Sequence, residues 1–182
     1  MLSKLTSSHV EDSLFLFSHY KKLAERAMEQ VTDGQLMTVL DPEMNSIAVI
    51  AKHMAGNMLS RWTDFLTSDG EKANRDRDAE FIDPPATRAD LMTVWNEGWN
   101  SVFTALEPLS EADLTRIITI RGEQHTVMQA INRQTTHYAY HCGQIVLLAK
   151  HFQSDKWKSL SIPRGQSAQF TRAVEKGDAR ER

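Results

Sequence analysis

The sequence predicts an all-α protein, a four-helix bundle, and three observations carry that prediction. Four stretches place apolar residues at spacings of three and four, the period of an amphipathic helix. Eight glycines and five prolines in 182 residues are too few for a loop-rich sandwich. The composition, 41% hydrophobic and 25% charged, is that of a globular domain long enough to bury its own core.

The first helix is predicted from about Leu5 to Val31, with Leu16, Tyr20, Leu23, Ala27 and Val31 on one stripe and Asp33-Gly34 as its stop. The second opens after Asp41-Pro42 with Asn45 or Ser46 as N-cap, because a short polar side chain there satisfies a free backbone N–H. Its stripe is Ile47, Ala51, Met54, Met58, Trp62 and Phe65, and it stops near Ser68-Asp69-Gly70. A polar connection, Asp69 to Thr87, follows; structureless segments of that length are usually functional or flexible. Thr87 caps the third helix, whose stripe is Leu91, Trp95, Gly98, Val102 and Leu106 and whose end is set by Pro108. Arg116 to Ile120 is β-branched, Arg121-Gly122 reads as a turn, and Glu123 to Thr126 reads as the return arm of a small hairpin. The fourth helix runs from about Thr126 to Phe152. Residues 1–153 therefore read as the bundle, and 154–182 as an extended C-terminal tail packing on it with a frayed end. The long connection and the hairpin leave room for crossovers in place of simple up-down-up-down order.

Composition also removes function classes. Cys142 is the lone cysteine, which excludes an intrachain disulfide, a four-cysteine zinc site and an iron–sulfur cluster. A net charge of −3 argues against a nucleic-acid groove or an anionic membrane surface as partner. No apolar run approaches the ~20 residues that span a bilayer, and the N-terminus lacks a signal-peptide core. The expectation is a cytoplasmic protein with a reduced thiol. Seven histidines stand against that single cysteine, so a transition-metal site here must be built from imidazole and carboxylate.

His137 and His141 are four apart on the fourth helix and share a face with Val127, Ala130, Gln134, Ile145 and Leu148. The pair alone is a weak signal, equally compatible with two hydrogen-bonded core histidines. Tyr138 also stands where a zinc-protease helix needs its glutamate. His53, mid-way along the second helix, adds a third imidazole. Bundle helices cross at about 8–10 Å, so the three can converge on one ion with a coordination position left open. Asn57, one turn after His53, and Gln134, one turn before His137, are candidates to support such a site or to be ordinary buried polar residues. Arg133 could meet an anionic substrate or pair with a surface acid. Trp95 and Trp99 are core or interface aromatics, with a pocket wall as the lesser reading of Trp95. Cys142, about 100° around the helix from His141, is not expected as a ligand to the same ion. The Glu71–Glu80 run of mixed charge reads as a solvated, salt-bridged loop, with an acid from it completing the metal shell as the lesser reading.

The segments Ile50-Ala51-Lys52-His53-Met54-Ala55-Gly56-Asn57 and His137-Tyr138-Ala139-Tyr140-His141-Cys142-Gly143-Gln144 resemble the DinB-like superfamily, bacterial four-helix bundles named for damage-inducible proteins. Asn74-Arg75-Asp76-Arg77-Asp78-Ala79-Glu80-Phe81 and Gln134 resemble an uncharacterised subfamily more narrowly, and the resemblance covers about residues 5–152. It implies an up-down-down-up bundle, often a homodimer, with a divalent ion (zinc or nickel) on His53, His137 and His141. It implies an activity only loosely. Some relatives are thiol-dependent enzymes, such as bacillithiol S-transferases and mycothiol-dependent maleylpyruvate isomerase. The expectation is thus a metal-binding protein acting as a thiol S-transferase or related hydrolase on a small molecule. The alternative is a non-catalytic, metal-bearing stress-response or interaction module that dimerises. No catalytic residue and no thiol-binding residue is assigned from the sequence.

Overall fold

The structure, a computed structural model, describes residues 8–179. Helix α1 spans His9–Met28, with the Ser8 hydroxyl accepting from Glu11 N at its start. The start predicted at Leu5 lies outside the described residues. The helix ends short of Val31, and Asp33-Gly34 begins a helix instead of closing one: α2, Asp33–Met37. The reason is a capping box that local periodicity does not reveal. Thr32 Oγ1 accepts from Gln35 N while Gln35 Oε1 accepts from Thr32 N.

Helix α3 spans Ile47–Trp62 and is capped by Ser46. It stops before Phe65, at a bend where Asp64 takes a φ of 49°. The segment to Arg88 is a strap that contains one 3-10 turn, Asp78–Phe81. Helix α4 spans Arg88–Leu106 behind Thr87. A second 3-10 turn, Glu111–Thr115, leads to strands β1, Ile117–Ile120, and β2, Glu123–Thr126. They pair antiparallel with Ile117 opposite Thr126. Arg121 and Gly122 both take positive φ, as a two-residue hairpin turn requires. Helix α5, Val127–Gln153, follows directly, opened by a Thr126–Gln129 capping box.

The tail is not extended throughout. Ser167–Glu175 forms helix α6, a run of helix-compatible residues bracketed by Gly165 and Gly177. Upstream of it, Trp157 and Leu160 pack against the core. Lys158 N donates to Gln30 Oε1, and Gln30 Nε2 donates to Lys158 O.

Helix order is up-down-down-up. The start of α1 meets the segment before α5, where Val10 N donates to Glu111. Gln35, just past the end of α1, donates to Phe152 O at the end of α5, so those two helices run parallel. Arg88, opening α4, donates to Met28 O and Val31 O at the far end of α1, so α4 runs against it. Helix α3 is parallel to α4. Ala55 meets Gly98 at mid-length, and residues 62–66 share a cavity with residues 100–105 at their C-terminal ends. Gly98 is required by this contact, since a Cβ there would lie 2.7 Å from Ala55 Cα. Two parallel neighbours need a chain that returns along the bundle, and the 63–87 strap is that chain. Phe17, Trp62, Trp95, Trp99 and Tyr138 fill the centre. Among the described residues no helix is long and apolar enough to cross a membrane.

Candidate metal centre

Antiparallel packing of α3 against α5 brings the three predicted histidines together. His53 is 4% exposed, whereas His137 and His141 are half-buried. One donor atom from each lies within 4.8 Å of the others, and this is the one such group among the described residues. His137 Nε2 and His141 Nε2 are 3.1 Å apart. The His53 ring stands edge-on to both, with centroids 5.6 Å from His137 and 5.0 Å from His141.

Two of the three rings are oriented through their other nitrogen. His53 Nδ1 lies 2.8 Å from Glu80 Oε2, and His141 Nδ1 lies 2.8 Å from Gln144 Oε1. With Nδ1–H donated to oxygen, Nε2 keeps its lone pair as a ligand atom. Glu80 is itself gripped by the Arg75 fork, Nε to Oε1 at 2.7 Å and Nη2 to Oε2 at 2.8 Å. Burial would raise the Glu80 carboxyl, but hydrogen bonds from His53 and Arg75 hold it below its usual range, so it stays ionised. Phe81 closes the side of the site, stacked on His53 at 4.5 Å. Gly56 makes room for Glu80: a Cβ there would lie 2.5 Å from Glu80 Oε1.

The two histidines of α5 are held neutral. Burial pushes His137 down to about 3, helped by His141, His53, Arg133 and Arg61. Burial also lowers His141, against its hydrogen bond to Gln144. Three converging imidazoles are a donor set a zinc- or nickel-like ion takes, so the residues present fit a divalent ion.

The other predicted residues divide. Asn57 is buried and faces the cavity beside the site, but its bond is to Tyr138: the Tyr138 hydroxyl donates to Asn57 Oδ1 at 3.2 Å and accepts from Trp62 Nε1 at 3.0 Å. Gln134, 2% exposed, also lines that cavity, and its Oε1 has no partner. Trp95 as a pocket wall is a correction: it is fully buried in the core, donates to Glu25 Oε1 and packs on Trp99. The i,i+4 spacing of the two tryptophans reflected packing. Cys142 is buried away from the site, its thiol pushed up to about 12 by burial. Glu80 and Arg75 were hidden in the polar run, and Glu80 orients His53 instead of joining the ligand set. The available signal was Gly56, whose missing side chain sits one turn from His53.

A cavity of about 380 Å³ opens over His53 and His137. Its remaining wall is dominated by arginines, Arg61, Arg75, Arg77, Arg121 and Arg133.

Known proteins place this architecture. No curated protein matches the sequence. A crystal structure of a DinB-like protein from Bacillus cereus ATCC 10987 superimposes with a TM-score of 0.57 at 16% identity, covering 78% of this chain and 91% of that one. At that identity the likeness speaks for the fold alone. The family model described as "Protein of unknown function (DUF1572)" matches residues 4–166. A chain matched over that span, with a DinB-like bundle bringing His53, His137 and His141 together, belongs to the DUF1572 family.

Proposed function

We propose that this protein is a metal-dependent enzyme of small-molecule chemistry, a thiol S-transferase or a related hydrolase, with His53, His137 and His141 holding a zinc or nickel ion. The observation that supports the reading is the convergence of three imidazoles, one of them oriented by the buried Glu80–Arg75 pair and two of them, His53 and His137, lining a polar cavity. A divalent ion with an open position supplies stabilisation of a thiolate or hydroxide near neutral pH. In thiol transfer, a sulfur–carbon bond forms to the electrophile, its leaving group departs with the bonding pair, and the thiol proton passes to solvent. The chain's own contribution is placement. Glu80 fixes the His53 ring, Gln144 fixes the His141 ring, and the burial around His137 keeps it unprotonated. Cys142 is too deeply buried to serve as the nucleophile, so the thiol comes from a small molecule.

The test has two stages. Elemental analysis and metal titration are made on the protein and on His53→Ala, His137→Ala and His141→Ala; about one divalent ion per chain, lost in the variants, is expected from a three-ligand site. Full affinity in all three variants overturns the site. The loaded protein is then assayed with bacillithiol, glutathione and mycothiol against model electrophiles, and for hydrolysis. Metal-dependent turnover supports the enzyme; metal binding without turnover supports the non-catalytic module. The outer face of α5 leaves Tyr140 and Leu147 exposed one heptad apart, and we propose it as the homodimer surface. Light scattering of the wild type and of Leu147→Glu tests that arrangement.

A further inference from the structure

The charge around the cavity does not balance. Glu71 compensates Arg61 at 2.7 Å, Arg75 at 3.1 Å and Arg121 at 3.2 Å, while Glu80 takes the other side of Arg75. Arg77 and Arg133 have no carboxylate partner among the described residues. Arg77 lies over the Phe81 ring at 5.1 Å, and Arg133 stands on α5 one turn before His137. Both guanidiniums line the same cavity as the metal ligands.

A solvated cationic patch would account for Arg77 and Arg133 alone, since both are exposed. It does not account for the wall behind them. Arg61 is buried, and its Nε has no hydrogen-bond partner. Gln134 is 2% exposed, and its Oε1 is likewise unpaired. Both atoms are shielded from the cavity, so what this wall offers an occupant is charge: Arg61 and Arg75 are buried in it behind the two exposed arginines. The cavity volume falls within the range of small-molecule sites. Arginine forks are suited to planar or tetrahedral oxyanions, which they grip through paired N–H bonds.

We infer that this cavity receives a small organic oxyanion, a carboxylate or phosphate ester, gripped by Arg77 and Arg133 at the mouth in the positive field of the buried Arg61 and Arg75 behind them. The far end of the molecule reaches the floor at His53 and His137. The inference rests on the metal-centre reading for what happens at that far end; the anion grip itself needs only the arginines. It gives the proposed enzyme a substrate class, small acids, and leaves uncharged molecules as poor occupants.

The experiment is calorimetric titration of metal-free and zinc-loaded protein with three probes: succinate, inorganic phosphate, and succinamide as the neutral isostere of succinate. The same titrations are run on Arg77→Gln/Arg133→Gln, a double variant at exposed positions that leaves the core untouched. Zinc titration of both proteins reads the metal centre separately. The expected result is that succinate or phosphate binds the wild type, that succinamide binds at least about tenfold more weakly, and that the double variant loses about tenfold in anion affinity while keeping its zinc stoichiometry. Preference for succinate or for phosphate assigns carboxylate or phosphate ester. Anion binding to metal-free protein that needs the arginines sustains the inference even where zinc fails to bind. Three results overturn it: neither anion binds, the double variant binds as tightly as the wild type, or succinamide binds as well as succinate.

Discussion

Glu80 shows how much of the site is decided by one side chain. It is 6% exposed, ionised, and joins His53 to Arg75. Glu80→Gln keeps the shape but removes the charge that orients the His53 ring and satisfies the Arg75 fork. Loss of such an outer partner typically weakens metal binding by about 10–100-fold, to be read by competition titration against a zinc chelator. An unchanged affinity would mean that packing alone orients His53. His53, His137 and His141 were legible in the sequence because helical period places two on one face and a crossing helix supplies the third. Glu80 was not legible, because its partner lies 27 positions away across an irregular segment, where no period exists to read. Trp95 lies in the core, the leading reading of its stripe; the lesser reading as a pocket wall arose because a core stripe and a pocket wall share one period.

At the scale of elements, the long helices follow their apolar stripes and their caps. Ser46, Thr87 and Thr126 each accept from a backbone N–H where the sequence places a helix start. The misplaced boundaries are the C-terminal ends of α1 and α3 and the short elements. Helix α2 exists through the Thr32–Gln35 exchange over five residues, and α6 is a nine-residue helix with no fully buried member, its Phe170, Ala173 and Val174 stripe too short to stand out in a polar tail. The α3–α4 contact is the most sharply constrained pairing. Gly98→Ala puts a methyl 2.7 Å from Ala55 Cα, where backbone must move. The expected cost is about 1–3 kcal/mol, read as a fall in melting temperature of roughly 2–4 °C per kcal/mol. Gly143→Ala on α5 is the control, since nothing lies within 4 Å of its added Cβ. That change stabilises, by up to about 1 kcal/mol of helix propensity.

At the scale of the whole molecule, acid acts through the site. The folded chain holds His137 unprotonated down to about 3, whereas the ordinary value is 6.5. Below 6.5 the unfolded chain binds a proton that the folded one refuses, so stability falls as pH drops from 6.5 towards about 3. Glu80, held below its usual 4.5, loses its contribution in the same direction as pH falls further. Urea midpoints of metal-free protein should therefore decrease on going from about pH 7.5 to about pH 5, with a shallower decrease in His137→Gln. A midpoint that rises on acidification contradicts this. The crossover order of the helices was only partly legible, because a strap between parallel helices looks in sequence like any polar loop.

The hydrogen-bonded line from Trp62 through Tyr138 to Asn57 joins the aromatic core to the cavity wall. It gives the protein a fluorophore wired to its own site. An occupant that draws on Asn57 shifts the Tyr138 hydroxyl and, through it, the polarity felt by the Trp62 indole. Emission that changes on cavity filling, and stops changing in Trp62→Phe, would let occupancy be followed by light with no label attached.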